Sequence, residues 1–402
     1  MQYDSDVVLI GTGVAPLIAA NQLLIAGKSV LLLNPDWDFF LEESELPFDP
    51  LLQGLLNPPR LLRSSPEEAI SILRPNFPGP IEFWSINTEQ TGFHDPTAPH
   101  IRQRERLWIT SGEPGEKDSP RGWEILEDLF VEASDADLNP QILKGPSAVR
   151  RFPGYSSYSE AFQGLLIPKL CDVDSVRYRN GLMEFVRERL GSEKVIRAVT
   201  DMDWIPEGIR FRAGGAVHSA RLNLGALVFW TPRLTNWILN QSRKFNVTPP
   251  LPKGVRLWEQ WSLISRQPPS PYVIGMFSDM AVWADFEGPP SGEKEPPRRL
   301  SVLRAGPLLA PDARNLPETG LSWASGDSLN SLSRLCHGFF KWDYATIRSM
   351  KARAIFEWNG DESWLLSSHQ PSIRVVTACD GPLIDIVRVT QAACSKTLVE
   401  NG

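Results

Sequence analysis

The sequence predicts an α/β protein made of two interwoven parts, and three observations carry that prediction. The chain opens on a strand–helix–strand unit: an apolar run over 6–10 ends at Gly11-Thr12-Gly13, a helical pattern covers 14–26, and 29–33 is a second apolar run. It closes on a strand over 373–377, a turn at Asp380-Gly381-Pro382 and a helix over 384–399. Its 402 residues are enough for two or three structural units at roughly 100–200 residues each.

Taken in chain order, Val7-Val8-Leu9-Ile10 has the continuous apolarity of a strand buried on both faces. Leu17, Ile18, Leu23, Leu24 and Ala26 supply the apolar positions of the first helix, and Gly27 is placed to stop it. Residues 67–73 read as a helix, with Pro66 at a position where a lost N–H costs nothing. A further helix is expected over 122–133. The segment 176–190 is amphipathic, with Asp172 and Asp174 available to cap it and Gly191 to end it. Strands are expected over 194–199, 208–212 and 226–230, with a Gly214-Gly215 turn among them.

The next stretch, 266–322, sustains no period. It contains Gln267-Pro268-Pro269-Ser270-Pro271 and a second proline-rich run over 288–297, so it is expected to be a long exposed excursion from a domain. Proline supplies 35 of the 402 residues, against a usual share of about 5%. None falls between 318 and 370, which leaves that segment free to form regular structure.

Composition narrows the function classes. Forty-one basic against 48 acidic side chains give a net charge of −7 and argue against a nucleic-acid protein that binds through a basic surface. No apolar run approaches the ~20 residues of a membrane span. The first residues, Met1-Gln2-Tyr3-Asp4-Ser5-Asp6, are acidic where a signal peptide is basic, so a cytoplasmic location is expected. Cys171, Cys336, Cys379 and Cys394 form no CxxC pair, and the five histidines form no HxH or HxxxH pair. A zinc site or a disulfide framework is therefore not expected.

One motif points to chemistry. Gly11-Thr12-Gly13-Val14-Ala15-Pro16 follows a strand and opens a helix, where a dinucleotide fingerprint belongs. The first glycine makes the turn, the second lets backbone approach a pyrophosphate, and the positive end of the helix faces the phosphates. Pro16 stands where the third glycine would be, and proline is tolerated in a first helical turn. At the end of the second strand stand Asn34 and then Asp36, in place of a terminal carboxylate that would bind ribose. The competing explanation is an α/β turn that binds nothing.

Together these residues resemble the FAD-dependent oxidoreductases of the D-amino-acid oxidase, glycine oxidase and sarcosine oxidase type. The resemblance extends through Leu143-Lys144-Gly145-Pro146 to Phe152-Pro153-Gly154, then Gly164 to Pro168 and Asp172-Val173-Asp174. It continues from Val195 to Leu239, where Val199 would meet adenine and Phe229-Trp230 replace the family's Ala-Gly turn. It ends over 373–392, similar to the family's closing strand, glycine turn and helix, with Asp380, Gly381, Pro382 and Leu383 near the flavin.

What the resemblance implies is a Rossmann-like FAD-binding domain interleaved with a smaller α+β substrate domain. The first would comprise 1–75, 145–240 and 345–402, the second 76–144 and 241–344. FAD would be held by Gly11, Gly13, Val14, Ala15, Asn34, Asp36, Gly54, Val199 and residues 380–383. The activity implied is oxidation of a C–N or C–H bond by hydride transfer to flavin. The family's carboxylate-binding arginine has no counterpart in Trp358-Asn359-Gly360-Asp361-Glu362-Ser363. The substrate is accordingly expected to be a small-molecule amine other than a simple amino acid, or a side chain of a partner protein, as in the maturation of quinone cofactors.

Asn57, in Gly54-Leu55-Leu56-Asn57, and His369 are candidates to face the flavin, against loop packing for the one and a surface histidine for the other. Cys379 beside the closing turn reads either as a reactive thiol or as a buried inert one. Trp258, Trp261 and Trp283 read either as a pocket lining or as sheet packing. The alternative function is a non-catalytic binding or assembly subunit of the same fold, motivated by Pro16, Asn34 and Phe229-Trp230.

Overall fold

A computed structural model describes residues 2–11, 13–35, 71–76, 86–87, 101–110, 120–135, 137–144, 163–173, 175–231, 234–265, 272–277, 280–287, 298–309, 346–358, 363–367, 371–377 and 383–400. The first of its two sheets has eight strands: β1 (Gln2–Ile10), β2 (Val30–Leu33), β7 (Val195–Ile196), β8 (Thr200–Ile205), β9 (Gly208–Ala213), β10 (Ala216–Phe229), β16 (Ser363–Ser367) and β17 (Ser372–Val376). Their order is β16-β17-β10-β1-β2-β7, with β9 paired to the first half of β10 and β8 paired to β9. From β17 to β7 every neighbouring pair is parallel, and β16 is antiparallel to β17.

Alternation explains why this sheet is buried on both faces. Val7 and Leu9 point to one face with Val30, Leu32, Leu227, Phe229 and Val376. That face is covered by α1 (Val14–Ile25), α3 (Ser175–Leu190) and α5 (Leu383–Glu400), which contribute Leu17, Tyr178, Val387 and others to one cluster. Val8, Ile10, Leu31, Leu33, Val228 and Val375 point the other way, against β8, β9 and α4 (Thr235–Lys244). Each fully buried Val, Leu or Ile contributes on the order of 1.5–3 kcal/mol, which is why the central strands are apolar without a polar face.

The second sheet has nine strands in the order β15-β11-β14-β13-β12-β4-β6-β5, with β3 beside β4. They are β3 (Ile86–Asn87), β4 (Ile101–Thr110), β5 (Gln141–Lys144), β6 (Gln163–Val173), β11 (Gly254–Ser265), β12 (Tyr272–Phe277), β13 (Met280–Glu287), β14 (Arg298–Leu309) and β15 (Thr346–Glu357). The helix α2 (Pro120–Asp135) precedes β5 and buries Leu126, Leu129 and Ala133. Both β6 and β15 lie in this sheet.

Three expectations about elements are corrected. The stretch 266–322 contains β12, β13 and β14 rather than a continuous irregular excursion. Pro307 falls inside β14, and the ladder accommodates it with a bulge. Arg256 pairs with Leu308 and Trp258 with Ala305, so Gly306 and Pro307 together oppose Leu257. The strand expected over 194–199 shortens to β7, because a 3-10 turn (Ser192–Lys194) precedes it and Ala198, with φ 52°, bends the chain after it. The strand expected over 226–230 is instead the 14-residue β10, whose first half runs antiparallel to β9. Residues 71–73 are helical and continue into a 3-10 turn (Arg74–Asn76), and the remainder of that expected helix is outside the described residues.

The sheets meet at an aromatic cluster. Trp230, at the end of β10, stacks edge-on against Trp358 at 5.0 Å between ring centroids and lies 6.3 Å from Trp364. Phe356 of β15 packs against the same Trp358 at 6.1 Å. Among the described residues no helix is long and apolar enough to cross a membrane.

Candidate functional site

The strands β2, β1, β10 and β17 run parallel, so their carboxyl ends share one edge of the sheet. That edge is where open α/β sheets bind ligands, because helices start there and their unpaired N–H groups face outward. Here α1 follows β1, α4 follows β10 and α5 follows β17.

The turn between β1 and α1 has a defined geometry. The Gly11 N–H donates to the Leu33 carbonyl at 3.1 Å, which ties the turn to the end of β2. Gly13 is the helix N-cap at φ 81° and ψ −155°, a combination that side chains disfavour by on the order of 1–3 kcal/mol. No side chain caps α1, and no acidic residue stands in its first turn. Among the described residues, a Cβ at Gly13 would meet no atom within 4 Å. An uncapped amino terminus with no acidic residue in its first turn presents unpaired N–H groups and the positive end of the helix dipole, the features that suit an anion. Pro16 occupies the first turn without disturbing α1 and is buried.

Gly11 is a different case. A Cβ there would lie 2.9 Å from the Cβ of Phe229 and 3.3 Å from its Cδ2. Glycine is required at position 11 by the close approach of β10.

Asn34 and Val199 come together beside this turn. The Asn34 N–H donates to the Ile196 carbonyl at 2.8 Å, and the Val199 N–H donates to the Asn34 carbonyl at 3.0 Å. Both residues are buried. The left-handed Ala198 turns the chain so that Val199 can make that bond. Gly11, Gly13, Val14, Ala15, Asn34 and Val199 therefore line one end of the sheet. Asp36, Gly54, Asn57, His369, Cys379, Asp380, Gly381 and Pro382 lie outside the described residues, and Leu383 opens α5. Trp258, Trp261 and Trp283 fall on β11 and β13 of the second sheet.

Asp6, midway along β1, is held below the usual carboxylate value chiefly by the Asn223 side chain, then by the Ser29 N–H. Burial pushes the Tyr178 phenol up and the Cys394 thiol to about 12, so neither ionises near neutrality. Among the described residues no three His, Cys, Asp or Glu side chains are grouped to hold a metal ion.

No family model and no curated protein sequence matches this chain. Solved structures do. NikD, an unusual amino acid oxidase essential for nikkomycin biosynthesis, is similar with a TM-score of 0.63 at 14% identity, over 100% of this chain and 95% of its own. The fold is that of the amino-acid oxidases. L-alpha-glycerophosphate oxidase from Mycoplasma pneumoniae, solved with FAD bound, is similar at a TM-score of 0.62 and 11% identity over 98% of this chain and 95% of its own. Glycine oxidase from Geobacillus kaustophilus gives 0.60 and 12% over 99% and 95%.

Sequence reasoning missed two contributors to this edge. Phe229 was seen only as a departure from a pattern, and its contact with Gly11 follows from the β1–β10 register, which a sequence does not print. The Ile196 carbonyl was missed because 194–199 read as one strand. The signal available was the exposed polar start of that segment, Ser192-Glu193-Lys194, which suits a turn better than a buried strand.

Proposed function

We propose that the chain is an FAD-dependent oxidoreductase of the cytoplasm that oxidises a C–N or C–H bond of an amine-like substrate. The observation that carries this reading is the start of α1 at Gly13, uncapped and with no acidic residue in its first turn, at the carboxyl edge of a parallel sheet. Its support is the oxidase fold, matched along nearly the whole chain, including one relative solved with FAD bound.

The residues fit such a group. The first N–H groups of α1 would hold a diphosphate against the helix dipole, and Gly13 leaves room for its approach. Asn34, Val199 and the Ile196–Val199 turn would border the adenosine end. Bound there, FAD supplies the two-electron acceptor chemistry, and the protein supplies position and exclusion of water. The absence of an arginine over 358–363 favours a substrate without a simple amino-acid carboxylate, either a small-molecule amine or a partner protein's side chain.

The test is the visible absorption spectrum of the purified protein, repeated after heat release and after addition of FAD. A yellow protein with one FAD per chain is the expected result. A colourless protein that neither binds FAD nor is stabilised by it would refute the reading and leave a non-catalytic binding subunit of the same fold.

A further inference from the structure

The strand order puts β10 between β1 and β17. Its last residue, Phe229, thus stands between the strand that feeds α1 and the strand that feeds α5. Phe229 is fully buried on the helix-covered face of the sheet. Its Cβ and ring edge press on Gly11, at 2.9 and 3.3 Å from where a Cβ would be. It belongs to the same buried cluster as Ala15 in the first turn of α1, Val376 at the end of β17, and Ile386 and Val387 near the start of α5. In register it pairs with Val376, and the next N–H, from Trp230, donates to the Val376 carbonyl at 2.9 Å.

We propose that Phe229 is a positioning residue, a wedge that sets the spacing between the amino termini of α1 and α5. The inference rests on the flavoprotein reading, in which the diphosphate lies at the α1 turn and the flavin near the start of α5. A dinucleotide stretched between two helix starts is sensitive to their separation, whereas a ligand that touches only one of them is not. Shrinking the wedge lets Gly11 and α5 settle toward each other, because a buried void is closed in part by its neighbours. The predicted consequence is therefore selective: affinity for the whole cofactor falls, and affinity for its ADP half is preserved.

The experiment compares wild type, Phe229→Leu and Phe229→Ala after removal of flavin, measuring Kd for FAD and for ADP by calorimetry and the thermal midpoint of each apoprotein. Phe229→Ala is expected to weaken FAD by about tenfold or more while ADP changes by less than about threefold, with Phe229→Leu between. An unchanged ratio of FAD to ADP affinity, even with a lowered thermal midpoint, would make Phe229 an ordinary core residue and overturn the proposal. If Phe229→Ala does not fold, Phe229→Leu decides alone: a fall of about threefold in that ratio upholds the wedge and a constant ratio refutes it. Failure of the wild type to bind FAD would instead refute the oxidoreductase reading, and the wedge with it. The two failures are distinguishable by the wild-type titration.

Discussion

Asp6 ties β1 to Ser29 before β2 and to Asn223 of β10, and its replacement gives a prediction whose size and pH dependence follow from geometry. The carboxylate accepts hydrogen bonds from the Ser29 N–H at 2.8 Å, the Ser29 hydroxyl at 2.9 Å and the Asn223 amide at 3.0 Å. It sits at an irregularity: Ser5 pairs with Leu222 and Val7 with Gly225, so Asn223 and Leu224 together face Asp6. Hydrogen bonds to a charged group contribute about 1.5–3 kcal/mol when buried, and this carboxylate is half-exposed. With that discount, Asp6→Asn should cost about 2 kcal/mol at neutral pH. The sign of the pH effect is set by the lowered pKa in the folded chain. The stabilisation is fully present above the ordinary carboxyl value of 3.8 and is lost as pH falls through the lower folded value. Urea denaturation of both proteins should show the gap at about pH 6 and its closure toward about pH 2. Because neutral partners lead the causes, about 0.5 M salt should leave most of it. A gap of equal size at both pH values, or none at pH 6, would refute the assignment.

Three further outcomes are expected. Gly225→Ala would drive a methyl group into the Ser372 carbonyl of β17 and should cost about 3 kcal/mol or more in urea denaturation; a loss below about 1 kcal/mol would mean the strands can part. Cys394, buried and with its thiol at about 12, should escape iodoacetamide at pH values near 8 in the native protein and label only after denaturation, as read by peptide mass mapping. Asn76→Ala removes an acceptor for the Gln22 amide at 2.7 Å and a donor to the Ile72 carbonyl at 3.1 Å, all beside a fully buried position. It should cost about 1–3 kcal/mol and speed hydrogen exchange in the second half of α1.

The central βαβ unit was legible because its signals are local. Continuous apolar runs, a glycine turn and an amphipathic helix each depend on residues within one or two turns of chain, and β1, α1, β2, α3 and α5 fall within a few residues of their expected limits. The second sheet was harder to read. Proline at 307 argued against a strand, and only the partner strand shows that a bulge absorbs it. In β10, the polar half paired with β9 is largely exposed while the apolar end is wholly buried, and only that apolar end reads as a strand from sequence although the backbone is continuous. At the site, Gly13 and Asn34 could be picked from position alone. Phe229 could not, because its role arises from two strands more than two hundred residues apart in sequence meeting in register.

That contact changes which glycine counts as a sign of a ligand. Both Gly11 and Gly13 match the fingerprint, but the structure separates their reasons. Position 11 must be glycine whether or not anything binds, since Phe229 already occupies the space that a side chain would need. Position 13 faces no such neighbour among the described residues, and its demand is conformational, at the start of an uncapped helix. A Ser, Asp or Asn at position 13 would gain only about a few tenths of a kcal/mol as a cap over glycine and would have to adopt a backbone conformation that disfavours side chains, so the missing side-chain cap follows from that conformation. What bears on the proposed anionic ligand is the lack of an acidic residue in the first turn of α1, beside N–H groups that no side chain caps. The weight of the fingerprint therefore rests on Gly13 and the first turn of α1, with Gly11 as the hinge that Phe229 holds in place.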